Sequence, residues 1–314
     1  MNKRYPFLLF MTAWLSVQAQ QDPHYTQFMF NKMAYNPAYA GSFESPTLTA
    51  IYRKQWIGLE GSPETQVLSY NQRMLNNRVG VGGTLTRNVI GISRGITLDI
   101  PWAYRIPVKR GVLGMAMQVS VRNLYQNWAD PRLNPALAID NAIPNEAQSK
   151  TLVNFGCGIY YTGTNWYAGF GVPRLLDNNI DFLDFDDVFS REVQHFYGMF
   201  GRDFDIDRDI RITPQILLKY VPGAPFDFDF NTSVLVKRKF FGGVGYRLGS
   251  DTNGAGESVD VLLGMQGTDN LFFCLSYDIG LTQLYKYNSG SIEATVRWWF
   301  NPPAAEGIRI PTGD

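Results

Sequence analysis

The stretch Phe226–Val236, FDFDFNTSVLV, decides the fold. Its apolar side chains at positions 226, 228, 230, 234 and 236 alternate with polar side chains at 227, 229, 231 and 233. Residues two apart lie on the same face of a β-strand, so this stretch has one apolar face and one polar face. The pattern predicts a strand that separates two different environments.

The same alternation recurs along the chain, over 113–121, 258–266 and 291–300. No comparable stretch has the 3.6-residue period of an amphipathic helix. Glycine is abundant, with 30 residues, and aromatic residues make up 14% of the chain, which is typical of sheet proteins. The sequence therefore predicts an all-β fold.

Composition excludes several classes of function. The 314 residues carry 28 basic and 28 acidic side chains, so no net positive charge favours a nucleic-acid partner. Cys157 and Cys274 are too few for a four-cysteine zinc site, and only His24 and His195 are available for histidine chemistry. We expect no cofactor, no resident metal and no enzymatic activity.

The first 19 residues are typical of a signal peptide. Lys3 and Arg4 precede the apolar stretch Tyr5–Val17, which is too short to span a bilayer as a stable helix. We expect cleavage after Ala19, with cleavage one residue later as the alternative. No cysteine follows this position, which excludes a lipoprotein anchor. The protein is therefore expected to be exported.

Residues 46–300 are expected to form the main domain. Turn signals divide them into fourteen strands, most of them about 10–12 residues long, which suits a tilted strand that crosses a bilayer. The expected strands are 46–57, 63–74, 78–89, 92–105, 111–124, 151–161, 165–174, 193–204, 209–220, 226–237, 240–249, 257–267, 269–280 and 290–300.

The links between these strands alternate in length. Every second link has only a few residues, whereas the others include the long segments 125–150 and 175–192. Short periplasmic turns and longer outer loops are the pattern of a bacterial outer-membrane β-barrel. A secreted sandwich of two sheets would explain the alternation but not the link lengths. We therefore predict a transmembrane antiparallel β-barrel in the bacterial outer membrane.

Aromatic residues near the strand ends favour the same fold. In a membrane barrel such clusters form girdles at the headgroup level. The candidate girdle residues are Tyr52, Trp56, Trp102, Tyr104, Tyr125, Trp128, Tyr160, Tyr161, Trp166, Trp298, Trp299 and Phe300.

Residues 20–45 do not fit the strand pattern. They combine the breakers Asn36-Pro37 and Ala40-Gly41 with five aromatic side chains. Such a segment is too apolar for a free tail and too broken for a strand. We expect it to fold into the lumen as a plug or to lie against the periplasmic rim. Residues 301–314 would form a periplasmic C-terminal tail.

Two motifs resemble a known family. Asp22-Pro23 is followed by Gln27-Phe28-Met29-Phe30-Asn31 and by Asn36-Pro37-Ala38-Tyr39-Ala40-Gly41, which is similar to the N-terminal signature of the PorP/SprF family. These are outer-membrane proteins of the type IX secretion system of Bacteroidota. The run Tyr52–Gly58, with Gly61, Pro63 and Thr65, also resembles the family. At Gly290–Glu293 the chain departs from the family pattern, because Ile292 stands where histidine is usual.

The resemblance implies a barrel that binds secretion partners. It would contact outer-membrane lipid, a secreted substrate with a C-terminal sorting domain, and periplasmic or lipoprotein components of the machinery, and it would help a gliding-type adhesin to reach or stay on the cell surface. The residues that the motifs single out for plugging or partner binding are Asp22, Pro23, Gln27, Phe28, Phe30, Asn31, Asn36, Pro37, Ala38, Tyr39, Ala40, Gly41, Tyr52, Arg53, Trp56 and Gly58.

A diffusion porin is the alternative function. Side chains expected in the lumen are mixed in sign, with no ring of one charge to select ions. Fourteen strands also make a narrower barrel than the 16–18 strands of porins. Both points favour an interaction protein. The lumen positions in question are Arg122, Asn154, Arg211, Gln215, Asp227, Asp229, Asp260 and Arg297.

Other candidate sites have plainer explanations. His195 lies near Asp186, Asp187 and Ser190, but one histidine beside a loop is more often a surface or girdle residue. The aspartates at 181, 184, 186 and 187 lack the spacing of a calcium loop. Those at 203, 205, 207 and 209 are expected to face water. Gly80, Gly82 and Gly83 suggest strand curvature or a close backbone approach.

Overall fold

The computed structural model describes residues 23–130, 146–182, 190–249 and 256–300. The expected signal peptide, Asp22, the tail 301–314 and most of the acidic loop lie outside these residues. Three short 3₁₀ turns, Phe28–Phe30, Lys32–Ala34 and Pro37–Tyr39, precede the first strand, and another, Gln283–Tyr287, lies before the last. Among the described residues, no helix is long and apolar enough to cross a membrane.

Strands account for most of the described chain. They are β1 (Thr47–Lys54), β2 (Glu64–Met74), β3 (Val79–Ile90), β4 (Ser93–Val108), β5 (Gly111–Asn127), β6 (Ala147–Gly163), β7 (Trp166–Val172), β8 (Phe196–Arg202), β9 (Phe204–Asp205), β10 (Ile210–Tyr220), β11 (Asp227–Val236), β12 (Phe240–Leu248), β13 (Ser258–Thr268), β14 (Leu271–Gly280) and β15 (Ser291–Trp299).

The strands close into a barrel. Neighbours in sequence pair antiparallel, and β1 pairs with both β2 and β15, so the sheet has no free edge there. β8 and β9 both pair with β10 and are two parts of one strand interrupted at Asp203. The described residues therefore form a closed barrel of fourteen antiparallel strands, as the sequence predicts.

The two faces of the strands differ as the alternation indicates. On β11, Asp227 and Asp229 are buried inside the barrel, whereas Phe230 on the opposite face is exposed. Cys157 is exposed on the outer face and Cys274 is buried on the inner face. This is the arrangement that the strand parity of the two residues indicates, and side chains on opposite faces of a barrel wall cannot form a disulfide.

The links separate the two ends of the barrel. At the end where β1 begins and β15 finishes, the links 75–78, 109–110, 164–165, 206–209, 237–239 and 269–270 are all short; we call this the short-turn end. At the other end, called here the long-loop end, the longest links are 128–146 and 173–195. One link there, 91–92, is also short.

Three assignments made from the sequence are wrong. Trp299 is not in the outer girdle: it is 5% exposed and lies at an inward position of β15. Tyr160 is not in the outer girdle: it is 1% exposed and packs inside the barrel, because its parity in β6 is that of the inward residues. Asp203 does not face water: it is 4% exposed and accepts a hydrogen bond of 2.6 Å from the Thr213 hydroxyl. Asp203 has the same parity as the inward residues Tyr197, Met199 and Gly201 of β8, and Arg211 lies 3.3 Å from its carboxylate.

Candidate functional site

The candidate site is the contact between residues 23–46, called here the N-terminal segment, and the inward face of the barrel. Asn36 starts one of its turns because the side-chain oxygen accepts a hydrogen bond of 2.9 Å from the Ala38 backbone and Pro37 fits the first position of the turn. The described part of the segment contains only short 3₁₀ turns, which leave many backbone groups without a partner within the segment. The barrel must therefore supply hydrogen-bond partners for these groups.

The N-terminal segment runs from one end of the barrel to the other. Thr26 and Gln27 contact Glu293, which lies near the long-loop end of β15. Gly41 contacts Asn71, which lies toward the short-turn end of β2, with the backbone nitrogen donating to the side-chain oxygen at 2.6 Å. Sequence alone could not show this direction.

Glu293 holds the beginning of the segment. Its two carboxylate oxygens accept hydrogen bonds from the backbone nitrogens of Thr26, at 2.9 Å, and Gln27, at 3.0 Å. Arg53 lies 3.0 Å from the same carboxylate and 2.7 Å from Asp278. The Thr26 hydroxyl joins both groups: it donates to Asp278 at 2.7 Å and accepts from Arg53 at 2.7 Å. Each charge is therefore buried with a partner.

A second cluster of charges surrounds His24. Lys219 lies 2.8 Å from Asp229, whose other oxygen is 3.0 Å from Arg247. The Lys219 nitrogen also lies 3.1 Å from Nδ1 of His24. Burial, followed by the positive charges of Lys219 and Arg247, lowers the pKa of His24 well below 6.5. The ring therefore stays neutral at pH 7.

This second cluster is a poor metal site. The ligand atoms of His24, Asp227 and Glu257 lie within 4.8 Å of one another. The Lys219 ammonium already lies 3.1 Å from His24 and 3.5 Å from Asp227, so a positive group occupies the place of the cation. The donor set does not fit a resident metal ion.

Aromatic side chains anchor the middle of the segment. The Phe30 ring lies between Phe241 and Phe272, with centroid distances of 5.3 and 5.0 Å. Arg297 lies over the same ring, 5.2 Å from its centroid, and donates to the Phe30 carbonyl. Further along, Tyr39 packs edge-on against Tyr160 at 5.3 Å. Such contacts bury large apolar surfaces in defined geometries.

Lys32 is an unusual member of this core. Its side chain is fully buried, and Nζ makes no hydrogen bond to any described residue. The ammonium lies 3.4 Å from the centroid of the Tyr167 ring, a cation–π contact. Burial lowers the pKa of Lys32 well below 10.5.

Glycines face the second half of the segment. A Cβ at Gly80 would overlap the Ala40 carbonyl, and a Cβ at Gly158 would overlap the Asn36 side chain. At Gly171 the added atom would lie 2.5 Å from the Tyr35 carbonyl oxygen. The close-approach interpretation of Gly80 is therefore correct, whereas Gly83 has open space around it.

The residues of the two family motifs are found in different environments in the structure. Gln27, Phe28, Phe30, Asn31, Asn36, Pro37, Ala38, Tyr39, Ala40 and Gly41 are all buried, as is Arg53. Tyr52 points outward and is 40% exposed. Trp56 and Gly58 follow the end of β1, where both have a positive φ, and Trp56 bonds through its backbone to Ser291. Among the described residues, the side-chain hydrogen bond from the second motif to the N-terminal segment comes from Arg53.

Several partners of the segment were missed in the sequence. Glu293, Asp278, Lys219 and Arg247 carry most of the buried ion pairs, and each lies at an inward position of its strand. A charged residue at an inward position of a barrel strand is a signal, but periodicity does not say which charges meet. His195 has a plain role, since Nδ1 lies 2.8 Å from the Val193 carbonyl and the ring stacks on Tyr197.

A closed antiparallel barrel with polar residues inside and apolar residues outside defines a protein of the outer-membrane β-barrel class. Comparison with known proteins agrees: the family model described as "Type IX secretion system membrane protein PorP/SprF" matches residues 17–298. The chain belongs to the PorP/SprF family. Family and fold together support an outer-membrane location.

Several solved structures are similar to this chain. Omp33 of Acinetobacter baumannii has 8% identity and a TM-score of 0.47, over 83% of this chain and 100% of Omp33. The CymD monoaromatic hydrocarbon channel has 12% identity and a TM-score of 0.50, over 86% of this chain and 93% of CymD. The Pseudomonas putida toluene transporter TodX has 10% identity and a TM-score of 0.46, over 88% of this chain and 94% of TodX.

At these identities, the likeness to CymD shows a shared fold alone. No curated protein sequence matches the chain. The family is described as a membrane protein of a secretion system rather than as an enzyme.

Proposed function

We propose that the protein is a non-conducting outer-membrane barrel that binds partners of type IX secretion, and that its N-terminal segment acts as a plug. One observation carries the proposal: residues 25–43 are almost all buried, against inward side chains from the long-loop end to the short-turn end. A diffusion porin needs a continuous path of water through the barrel, and the N-terminal segment occupies that path.

A loop at the long-loop end adds to the closure. Glu192 is 8% exposed and lies 2.8 Å from Arg122 of β5. It also accepts a hydrogen bond of 2.9 Å from Asn154 of β6. The described residues around Glu192 are therefore tied to β5 and β6 by partly buried polar contacts.

The partners are proposed from the family. We expect the short-turn end to face the periplasm, where it would meet periplasmic or lipoprotein components of the machinery, and the long loops to face outward. A secreted substrate with a C-terminal sorting domain, such as a gliding-type adhesin, is the proposed cargo. The outer face would contact outer-membrane lipid.

Planar-bilayer recording tests the plug. The intact barrel should conduct little, and deletion of residues 20–42 from the mature protein should give large, steady currents. Gly80→Val should give intermediate, flickering currents because it pushes the backbone at Ala40 away, whereas Gly83→Val, a matched change with open space, should behave as the wild type. Porin-like currents from the intact protein would overturn the plug and favour a diffusion porin.

Thiol labelling is a second measurement that does not require the deletion to fold well. Cys274 is 1% exposed in the lumen, and Cys157 faces outward. A small, charged methanethiosulfonate should leave Cys274 unmodified in the wild type and modify it in Gly80→Val. Rapid modification of Cys274 in the wild type would contradict a closed lumen.

Affinity purification of the native complex tests partner binding. After crosslinking on intact cells, mass spectrometry should identify a secreted protein with a C-terminal sorting domain at higher abundance than with an unrelated barrel from the same membrane. Equal recovery with both barrels would contradict the partner-binding function while leaving the plug unaffected.

A further inference from the structure

A cavity opens at the short-turn end between β2 and β5. It has a volume of about 630 Å³, within the range of ligand pockets. Arg73, Arg105, Pro107 and Val112 line it from inward positions of the strands, and the turn after β2 forms its rim. The complete lining is Arg73, Leu75, Asn76, Asn77, Arg78, Arg105, Pro107 and Val112.

Three arginines with little acidic compensation line this cavity. Arg73 is held by the N-terminal segment, since it donates to the carbonyls of Gly41, at 2.8 Å, and Ser42, at 2.9 Å. Its ion pair with the half-exposed Glu44 is long, at 4.0 Å. Arg78 is exposed at the rim and forms no ion pair with a described residue.

Arg105 is the unusual member. It is 5% exposed, and Nε is buried with no hydrogen-bond partner. No acid of the described chain pairs with its guanidinium. A buried guanidinium without a counter-charge is costly, and elsewhere in this barrel Arg53 and Arg247 each have carboxylate partners. An anion in the cavity would supply a counter-charge for this guanidinium.

We propose that this cavity is a binding site for a carboxylate of an acidic peptide segment that enters from the short-turn side. Guanidinium groups match carboxylates in bidentate geometry, and Arg78 and Arg105 line this cavity without an ion pair to a described residue. Leu75, Pro107 and Val112 provide apolar contacts for the peptide that carries the charge. The proposal deepens the partner-binding function, on which it rests, by naming the chemistry of one ligand.

The position favours a peptide over a lipid headgroup. The cavity is lined by inward residues of β2, β4 and β5, so it opens into the mouth of the barrel rather than toward the bilayer. The apolar surface that faces lipid lies on the other side of the same strands, where Trp102 and Tyr104 are exposed. A headgroup would have to leave its leaflet to reach Arg105.

Fluorescence anisotropy with the purified full-length barrel in neutral detergent tests the site. The probe is a labelled six-residue peptide of alternating Asp and Gly, and its control replaces each Asp with Asn. We expect saturable binding of the acidic peptide alone, weaker at high salt. Arg105→Gln should weaken it at least tenfold.

Two further variants keep the test decisive. Arg78→Gln is at an exposed position, so it should weaken binding without any effect on folding. Arg238→Gln removes one exposed charge from another turn of the same end and should leave binding unchanged. Equal losses with Arg238→Gln would show non-specific attraction and overturn the site, as would a lack of saturable binding by the wild type.

Competition distinguishes the source of the anion. Inorganic phosphate should displace the peptide only at high concentration. If phosphatidylglycerol nanodiscs abolish peptide binding and neutral nanodiscs do not, the site belongs to a lipid headgroup and the peptide proposal is wrong. None of these readouts depends on conductance, so they can fail while the plug remains, or succeed without it.

Discussion

The two sides of the barrel hold the N-terminal segment by opposite means. On the side of β10–β15 and β1, here the charged wall, long side chains such as Arg53, Lys219 and Glu293 reach inward to residues 24–27. On the side of β3–β7, here the glycine wall, Gly80, Gly158 and Gly171 let the backbone of residues 35–41 lie directly on the strands. The charged wall reaches the segment with long side chains, whereas the glycine wall has no side chains at the points of contact.

The difference teaches how each wall selects this segment. Buried ion pairs contribute little net stability, because desolvation offsets their attraction, but loss of one partner is costly. The charged wall therefore fixes position and discriminates strongly against a misplaced segment. Glycine offers no attraction of its own, and it permits a close approach that any larger residue prevents.

The largest expected effect comes from the charged wall. Arg53→Met leaves Asp278 and Glu293 buried without their shared cation, so it should lower the free energy of unfolding by about 3–5 kcal/mol. The measurement is urea unfolding in liposomes or detergent, followed by tryptophan fluorescence. Arg87→Met removes an arginine that is 40% exposed and 3.9 Å from Glu64, and it should change stability by less than about 1 kcal/mol. Equal losses of stability in the two variants would show that the buried ion pairs of the charged wall contribute no more than an exposed ion pair.

A smaller effect is expected from the glycine wall. Gly80→Ala forces the Ala40 carbonyl to move and should cost about 1–3 kcal/mol through overpacking. Gly83→Ala, three residues along β3, meets nothing within 4 Å and should be nearly neutral. The same unfolding assay measures both. Similar values for the two variants would mean that the segment does not rest on this wall.

The smallest effect concerns Lys32, which belongs to neither wall. Lys32→Met should raise stability by about 1 kcal/mol at pH 7, because the variant loses the cation–π contact but no longer buries an ammonium without a hydrogen bond. Unfolding midpoints of wild type and variant at pH 7 give this difference.

The pH dependence of stability in the wild type and in Lys32→Met tests the prediction further. Burial lowers the pKa of Lys32 in the folded protein below the 10.5 of the unfolded chain. Between these two values the unfolded chain binds more protons, so wild-type stability should rise with pH across this window. The Met variant should lack that rise, and its advantage should shrink at pH 9. An unchanged advantage would show that Lys32 is not the titrating group.

Much of the barrel could be predicted from the sequence. The alternation at Phe226–Val236 and at 113–121 sets which side chains face inward, since the strand period is two. Strand number and link lengths follow from turn residues. Tyr160, Trp299 and Asp203 were misjudged, because nearness to a strand end says little about which face a residue is on; strand parity places all three side chains inward.

The candidate site was predictable only in part. The motif around Asn36-Pro37 marks the N-terminal segment, and its aromatic side chains indicate burial. Partners such as Glu293 for Thr26, 267 residues apart, cannot be found from local patterns. The same holds for Gly80 beneath Ala40, because a glycine in a strand suggests a close approach without naming the group that approaches.

The sequence by itself determined the fold class, the inward and outward faces and the family, because each depends on local periodicity or on short runs of residues. Only the tertiary structure decided which inward charges meet, which way the N-terminal segment runs, and that Arg105 has no carboxylate of the described chain beside it. These depend on barrel closure, which brings β1 against β15 and joins residues that are far apart along the chain.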